Sequence, residues 1–208
     1  MARVDLRVPF TEKDEAKRLG ARWDARRKCW YVPDGANSQD FLRWVPPSPD
    51  FVIRSSHYFV AETTVICRKR RCRQPTRVYA LLLPSDFELW EVRTWDLCEF
   101  ASFIEYVTDL SSSVVHTLER ITPTYHRDGS KTADGTYWMN HCEHCGAKLG
   151  DFYLHDEPGD GFFVTTPESA ADIKLYPVPK MFQGNAPGIS QDSGGGADLI
   201  DFMTIIQS

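Results

Sequence analysis

The chain has 208 residues, 42% of them hydrophobic, and a net charge of −5, which fits an ordinary globular protein with a real core rather than a disordered or fibrous one. No apolar run approaches a membrane span, and the opening MARVDLRVPF has neither the apolar stretch nor the cleavage site of an export signal, so a cytoplasmic location is expected. The charge is uneven: residues 1–83 carry 17 Lys and Arg against 9 Asp and Glu, and residues 84–208 carry 7 against 20. A basic half can follow phosphate and an acidic half repels it; alternatively the two halves attract each other and their charges are simply solvated.

Residues 3–10 alternate, with Val4, Leu6 and Val8 on one face, and predict a half-buried strand. Thr11 can cap a following helix, with Glu12, Asp14 and Glu15 in its first turn, Lys17 and Arg18 towards its end, and Gly20 as its stop. Ala16, Leu19 and Trp23 are then expected to face the strand. Residues 28–32 (KCWYV) predict a second strand, and Asn37 or Ser38 can cap a short helix carrying Phe41, Leu42 and Trp44.

The pattern VPF, then EKDEAKRLGARWD, then KCWYVP, across residues 3–33, resembles a small N-terminal domain without assigned function that is fused to conjugative-plasmid primases and to some exonuclease-like proteins of mobile elements. The resemblance covers about a sixth of the chain. It implies a compact strand, helix, strand module and a setting in DNA metabolism, and transfers no catalytic residue. Physically, Lys13, Lys17, Arg22, Arg26, Arg27 and Lys28 lie close in sequence to Trp23, Trp30 and Tyr31, the mixture of cations and flat rings that holds single strands. The competing reading gives Trp23 and Trp30 to the core, because so small a domain is short of apolar surface. Tyr31 must point away from Trp30 on a strand and fits that core less well.

Residues 44–50 (WVPPSPD) form a stiff proline-rich joint and set the expected domain boundary: a basic module at 1–46, a metal-binding domain at 47–183, and a linker with an acidic, apolar tip at 184–208. Within the second domain, residues 137–149 read YWMNHCEHCGAKL. Cys142 and Cys145 have the spacing that aims two sulfurs at one tetrahedral ion, and Gly146 supplies the turn. Cys67 and Cys72 offer two more thiolates, so a structural Zn2+ held by Cys67, Cys72, Cys142 and Cys145 is expected. Each pair is flanked by predicted strands, at 51–61 and 77–83 for the first, at 137–139 and 151–154 for the second. This is the outline of a zinc ribbon with residues 73–141 as an insertion. Cys29 and Cys98 read as small apolar core residues.

Helical spacing at 96–107, with Leu97, Phe100, Ala101, Ile104 and Val107, predicts a helix in that insertion. Residues 111–121 predict a second, and 167–173 a third with Thr166 as cap and Pro167 at its first position. The fold class expected from this irregular order is α+β. Residues 51–182 also resemble an uncharacterised bacterial family of zinc-ribbon-like proteins, through VYALLLP at 78–84, YWMNHCEHCGAKLGDFYLH at 137–155 and GFF at 161–163. The first cysteine pair departs from that pattern, with four residues between the cysteines where two are expected. Arg68, Lys69, Arg70 and Arg71 fill that loop, either to offset thiolate charge or to bind phosphate.

His141, His144 and His155 lie near the second pair and could serve an open, hydrolytic metal site; His141 could instead replace one cysteine as ligand, and Asn140, His141, Asp151 and Asp156 are candidates for a nuclease site. The residues 184–196 have linker composition, and 197–206 regain apolar residues that can dock a partner, fold back on the domain or self-associate. The expected function is a zinc-stabilised, non-catalytic, nucleic-acid-binding accessory of mobile-element DNA metabolism. An interaction adaptor is the first alternative and a metal-dependent hydrolase the second.

Overall fold

Alternating Val4 and Leu6 do form a strand, β1 (Val4–Leu6), in the computed structural model, which describes residues 4–33, 36, 38–44, 50–91, 94–157, 161–189 and 197–206. The proline-rich joint at 45–49, Asn37 and the glycine-rich run at 191–196 lie outside the described residues. A 3-10 turn (Phe10–Glu12) leads into α1 (Lys13–Arg18), whose N-cap is Glu12 rather than Thr11. The Glu12 carboxylate accepts from Trp44 Nε1 at 2.6 Å. Gly20, at φ 105°, ends the helix as its missing Cβ allows. Strands β2 (Arg22–Asp24) and β3 (Cys29–Val32) follow, then a 3-10 segment (Ser38–Trp44). The three strands lie antiparallel in the order β1-β3-β2 over a small core of Leu6, Ala16, Ala21, Val32, Phe41 and Trp44.

Onward, β4 (Ile53–Ser55) precedes the long hairpin of β5 (Tyr58–Ile66) and β6 (Pro75–Leu83). A second hairpin, β7 (Glu88–Glu91) and β8 (Thr94–Leu97), is followed by β9 (Ser102–Glu105), β10 (Asp109–Leu110) and α2 (Ser112–Ile121). Then come β11 (Tyr125–Ser130), β12 (Gly135–His141), β13 (Lys148–Leu149) and a π-helical turn (Phe152–Asp156). The chain closes with α3 (Pro167–Ala170), β14 (Lys174–Val178), β15 (Phe182–Asn185), β16 (Gly188–Ile189), a 3-10 segment (Ala197–Phe202) and β17 (Thr204–Ile205).

These elements divide into two compact units, one of Met1–Val52 with Glu88–Leu97, the other of Ile53–Phe87 with Cys98–Ser208. The hairpin β7–β8 therefore folds with the N-terminal residues, and Arg27 Nη2 meets Glu88 Oε1 at 3.0 Å. In the second unit a six-stranded sheet runs β16-β9-β6-β5-β14-β17, and β11, β12 and β13 form a smaller antiparallel sheet. Strand β6 is buried on both faces from Val78 to Leu83, so its VYALLL run is apolar without alternation. Its core neighbours include Ala61, Phe103, Leu154, Phe162 and Leu175, and Cys67 and Cys142 lie in the same cluster.

The expected α+β class, with a helical insertion in a zinc ribbon, is overturned: the described residues are mostly β-sheet with few helices. Residues 96–107 make strands in place of a helix. The reason is that β9 pairs with β6 on one edge, Leu81 opposite Ile104 and Leu82 opposite Phe103, and with β16 on the other, while all four of its residues are buried, so neither face alternates with solvent. A strand buried on both faces has no period of two, and Leu97, Phe100, Ala101, Ile104 and Val107 fell at helical spacing by coincidence. Helix α2 does form, burying Val114 and Leu118. Helix α3 carries the Thr166 cap, reciprocated by Ser169.

The C-terminal tip folds back. Strand β17 lies parallel to β14, Met203 is buried, and Leu199 and Ile200 pack against the core of the second unit. Among the described residues no helix is long and apolar enough to cross a membrane.

Candidate metal centre

Hairpin β5–β6 has Ile66 opposite Pro75, so its tip, residues 67–74, projects beyond the sheet with Cys67 and Cys72. The second pair follows β12 directly, and Gly146 and Ala147 separate it from β13. The four sulfurs converge to within 4.8 Å of one another. Cys67 Sγ stands 3.8 Å from Cys145 Sγ, and Cys72 Sγ 3.7 Å from Cys142 Sγ. A zinc ion with four Zn–S bonds of about 2.3 Å in a tetrahedron needs sulfurs about 3.8 Å apart, so the donor set fits that metal in kind and in spacing. The separations are far beyond a disulfide's ~2.05 Å, so these four cysteines are unbridged thiols.

Two backbone turns shape the loops. In the second, Gly146 N–H donates to Cys142 O at 2.9 Å with Gly146 at φ 64°. In the first, Cys72 N–H donates to Lys69 O at 2.8 Å, and the residue after the cysteine, Arg73, is again left-handed at φ 53°. Burial pushes the Cys67 thiol up to about 12. Burial also works against ionisation of Cys142, but the backbone N–H groups of His144 and Cys145 overcome it and bring that thiol down to about 6. The tight turn thus aims its own amides at a sulfur, which favours the thiolate a metal requires.

The second loop is also tied to the first hairpin, through contacts that neither spacing nor periodicity reveals. Asn140, 1% exposed, accepts from Tyr79 N–H at 2.7 Å and donates to Tyr79 O at 2.9 Å, so its amide takes both backbone groups of one β6 residue. Glu143 accepts from Arg77 Nε at 2.9 Å, from Arg77 Nη2 at 2.6 Å and from Arg77 N–H at 2.9 Å. Its own N–H donates to Thr76 Oγ1 at 3.0 Å, and His144 Nε2 reaches Pro75 O at 2.8 Å. The two residues inside the CEHC turn therefore seat it on the start of β6. The signal in the sequence was present as residue types only, since a Glu and an Arg 66 positions apart carry no mark of their pairing.

The histidines do not join the sulfurs. His141 stacks on His126 with ring centroids 4.0 Å apart, and its Nε2 is 3.1 Å from Asp128 Oδ2. His155 is buried among Phe103 and Phe162, and loss of hydration pushes it down to about 3, so it is neutral. Asp151 is buried too, raised to about 7 chiefly by desolvation, and accepts from Tyr106 N–H at 2.6 Å. Among the described residues the four cysteines are the one group of three or more His, Cys, Asp or Glu side chains close enough to share an ion.

The basic residues fall into two sets, one in each unit. In the first unit Trp23 is 51% exposed on β2, at the edge of its sheet, with Trp30 edge-on beside it at 5.6 Å. Trp30 packs against the small core, so the two tryptophans divide between the roles the sequence left open. Arg22 lies across from Tyr31 on β3, and Arg26 and Lys28 are exposed in the β2–β3 turn. Asp24 Oδ1 accepts from the N–H groups of Arg26 and Arg27 at 2.9 Å each, and Lys28 is left-handed at φ 54°. Arg27 is engaged by Asp5 and Glu88, while Lys13 lies 3.8 Å from the Phe10 ring centroid and Lys17 is exposed on α1. In the second unit Arg68 stacks on Tyr153 at 4.1 Å and pairs with Glu157 at 2.7 Å, whereas Lys69, Arg70 and Arg71 are exposed.

Comparison with known proteins bears on the N-terminal module. Residues 3–46 match a family described as a domain of unknown function, DUF5710. The chain is 55% identical over 42 residues to a DNA primase TraC of Escherichia coli, which is 20% of this chain and 4% of that protein. A second Escherichia coli DNA primase TraC is 54% identical over 39 residues, 19% of this chain and 3% of that protein. The chain thus spans only a few per cent of the length of the curated relatives it matches. No solved structure matches it. Residues 3–46 thus match a domain of unknown function, and the chain is similar over about 40 residues to a short segment of two DNA primases.

Proposed function

We propose that this protein is a zinc-stabilised, non-catalytic accessory of mobile-element DNA metabolism that binds nucleic acid through its N-terminal module and the basic loop of Arg68 to Arg71. The observation that carries the reading is Trp23, an exposed ring on edge strand β2, which also bears the exposed cation Arg22 and leads into a turn with exposed Arg26 and Lys28, in the segment that matches the family shared with the primases. A large ring kept in water among cations is suited to stacking on a base while the cations meet phosphate. The metal is Zn2+, held by Cys67, Cys72, Cys142 and Cys145; it supplies a structural staple, and the four thiols leave no place for a reacting water.

Fluorescence anisotropy of labelled single- and double-stranded oligonucleotides, repeated over a range of salt, tests this. Binding that weakens steeply with salt, and weakens again in Trp23→Ala and in Arg22→Ala/Arg26→Ala, supports it. Absence of binding at low salt overturns it. The C-terminal tip favours a second reading, a protein adaptor, because Phe202 and Ile205 stay more than half exposed around edge strand β17. Concentration-dependent self-association lost on truncation before residue 197 supports that reading instead.

A further inference from the structure

An open basin of about 760 Å3 lies beside the β11–β12 hairpin, lined by the rings of Tyr106, Tyr137, Phe152 and Tyr153 together with Lys131 and Lys148; no carboxylate is among its lining residues. Phe152 is 53% exposed and Tyr153 43%. Large rings left in water on one patch mark a binding surface. They stand in succession on the π-helical turn, a wide backbone form that recurs at functional sites. The rings are set nearly edge to face, at 5.4 Å and 83°. Arg68, itself anchored by Glu157, lies over Tyr153 and fixes its plane. On the floor, a Cβ at Gly150 would stand 3.0 Å from Tyr137 Oη, so a side chain there would intrude on the Tyr137 hydroxyl. A smaller cavity of about 90 Å3 shares Lys148, Gly150 and Tyr153 with the basin and adds Ile66 and Arg68, which carries the surface to the foot of the basic cysteine loop.

We propose that this basin takes an unpaired base of a single strand, stacked on one of the two rings Phe152 and Tyr153 and bounded by the other, with the flanking phosphates on Lys131 and on Lys69, Arg70 and Arg71. Flat rings, cations and no lining carboxylate match a flat aromatic group joined to anions. A duplex keeps its base faces inside the stack and cannot offer one. The assignment rests on the nucleic-acid reading and adds where the strand is held and that it must be single.

The test uses the full-length protein with its metal content verified. Its probes are an oligodeoxynucleotide carrying one 5-iodouracil, the matching duplex, and thymidine monophosphate. Irradiation is expected to cross-link the single strand to Phe152 or Tyr153. Phe152→Ala/Tyr153→Ala should weaken single-strand binding roughly 10-fold, the usual effect of losing a stacking ring. Tyr153→Phe, which keeps the ring, should bind like the unaltered protein, and the duplex should bind more weakly than the single strand. Salt-sensitive binding unchanged in the double variant overturns the basin and leaves the nucleic-acid reading standing. No binding by the unaltered protein overturns both. Equal affinity for the mononucleotide, or for the duplex, overturns the single-strand assignment.

Discussion

The loop from Cys142 to Cys145 closes over two residues and places Gly146 in the left-handed position after it, at φ 64°; the loop from Cys67 to Cys72 spans four and places Arg73 there, at φ 53°. Glycine adopts that conformation freely, whereas a residue with a Cβ is disfavoured by about 1–2 kcal/mol. The loops differ also in support. The second is seated on β6 by Asn140, Glu143 and His144, and the first rests on the hairpin that carries it, with Arg68 stacked on Tyr153 and paired with Glu157. Two unequal loops can still give one regular set of sulfurs, because the tertiary contacts of one offset the looser geometry of the other. The comparison also shows a cation kept at a position where glycine would be easier. Strain of that kind points to a use for the side chain.

If the loops share one metal, losing either pair should have the same outcome, and this is the largest effect expected. Structural zinc contributes on the order of 10–16 kcal/mol, as much as a whole domain's stability. Cys67→Ser/Cys72→Ser and Cys142→Ser/Cys145→Ser should therefore each abolish metal in elemental analysis and unfold the second unit. Stoichiometric metal surviving the first of these changes would break the pairing between the loops.

Next in size is the Asn140 clamp. Asn140→Ala leaves the buried N–H and C=O of Tyr79 without partners, at about 2–4 kcal/mol for the two groups. Urea unfolding followed by circular dichroism should show that loss, and a competing chelator should withdraw the metal more readily from the variant.

How far these parts could be read beforehand follows from the range of the forces involved. CEHCG is a local signature: spacing, turn and glycine lie within five residues, so the second loop was legible. Cys67 and Cys72 were legible as thiols between two strands, and their convergence on the other pair follows from the seating of the second loop on β6, which no local pattern encodes. The Asn140 clamp joins residues 61 positions apart, and nothing near Asn140 separates it from a catalytic amide. Residues 96–107 were misread because a strand buried on both faces loses the alternation that identifies strands. The membership of 88–97 in the first unit is hidden for a similar reason, since an ion pair such as Arg27 to Glu88 is set by tertiary folding. In the N-terminal module β1, α1 and β3 were legible from alternation and charge, but β2 was not foreseen and the cap fell at Glu12 instead of Thr11, while the division between half-buried Trp30 and exposed Trp23 depended on β2 being an edge strand.

A smaller effect tests the seating of the second loop. Arg77 holds Glu143 below the usual carboxylate range through paired hydrogen bonds, but the Arg77 side chain is 55% exposed and solvent screens the charge. Glu143→Ala is thus expected to cost only about 1.5 kcal/mol, much of it from the Arg77 N–H left without its acceptor. The metal should remain bound. Complete metal loss in this variant would mean that seating, rather than the thiols, decides whether the centre forms.

The smallest effect carries the comparison to its sharpest point, because the two left-handed residues should respond with opposite signs. At Gly146 the space around a new Cβ is empty within 4 Å, so Gly146→Ala isolates the backbone cost, about 1 kcal/mol of destabilisation. At Arg73, asparagine tolerates the left-handed region better than arginine does, so Arg73→Asn should gain a few tenths of a kcal/mol, read as a small rise in melting temperature. If the same change also weakens oligonucleotide binding and flattens its salt dependence, the strain at Arg73 is the cost of presenting a cation beside the thiolate cluster. If stability rises and binding is untouched, the first loop needs no cation at that position, and the difference between the loops is one of backbone geometry alone.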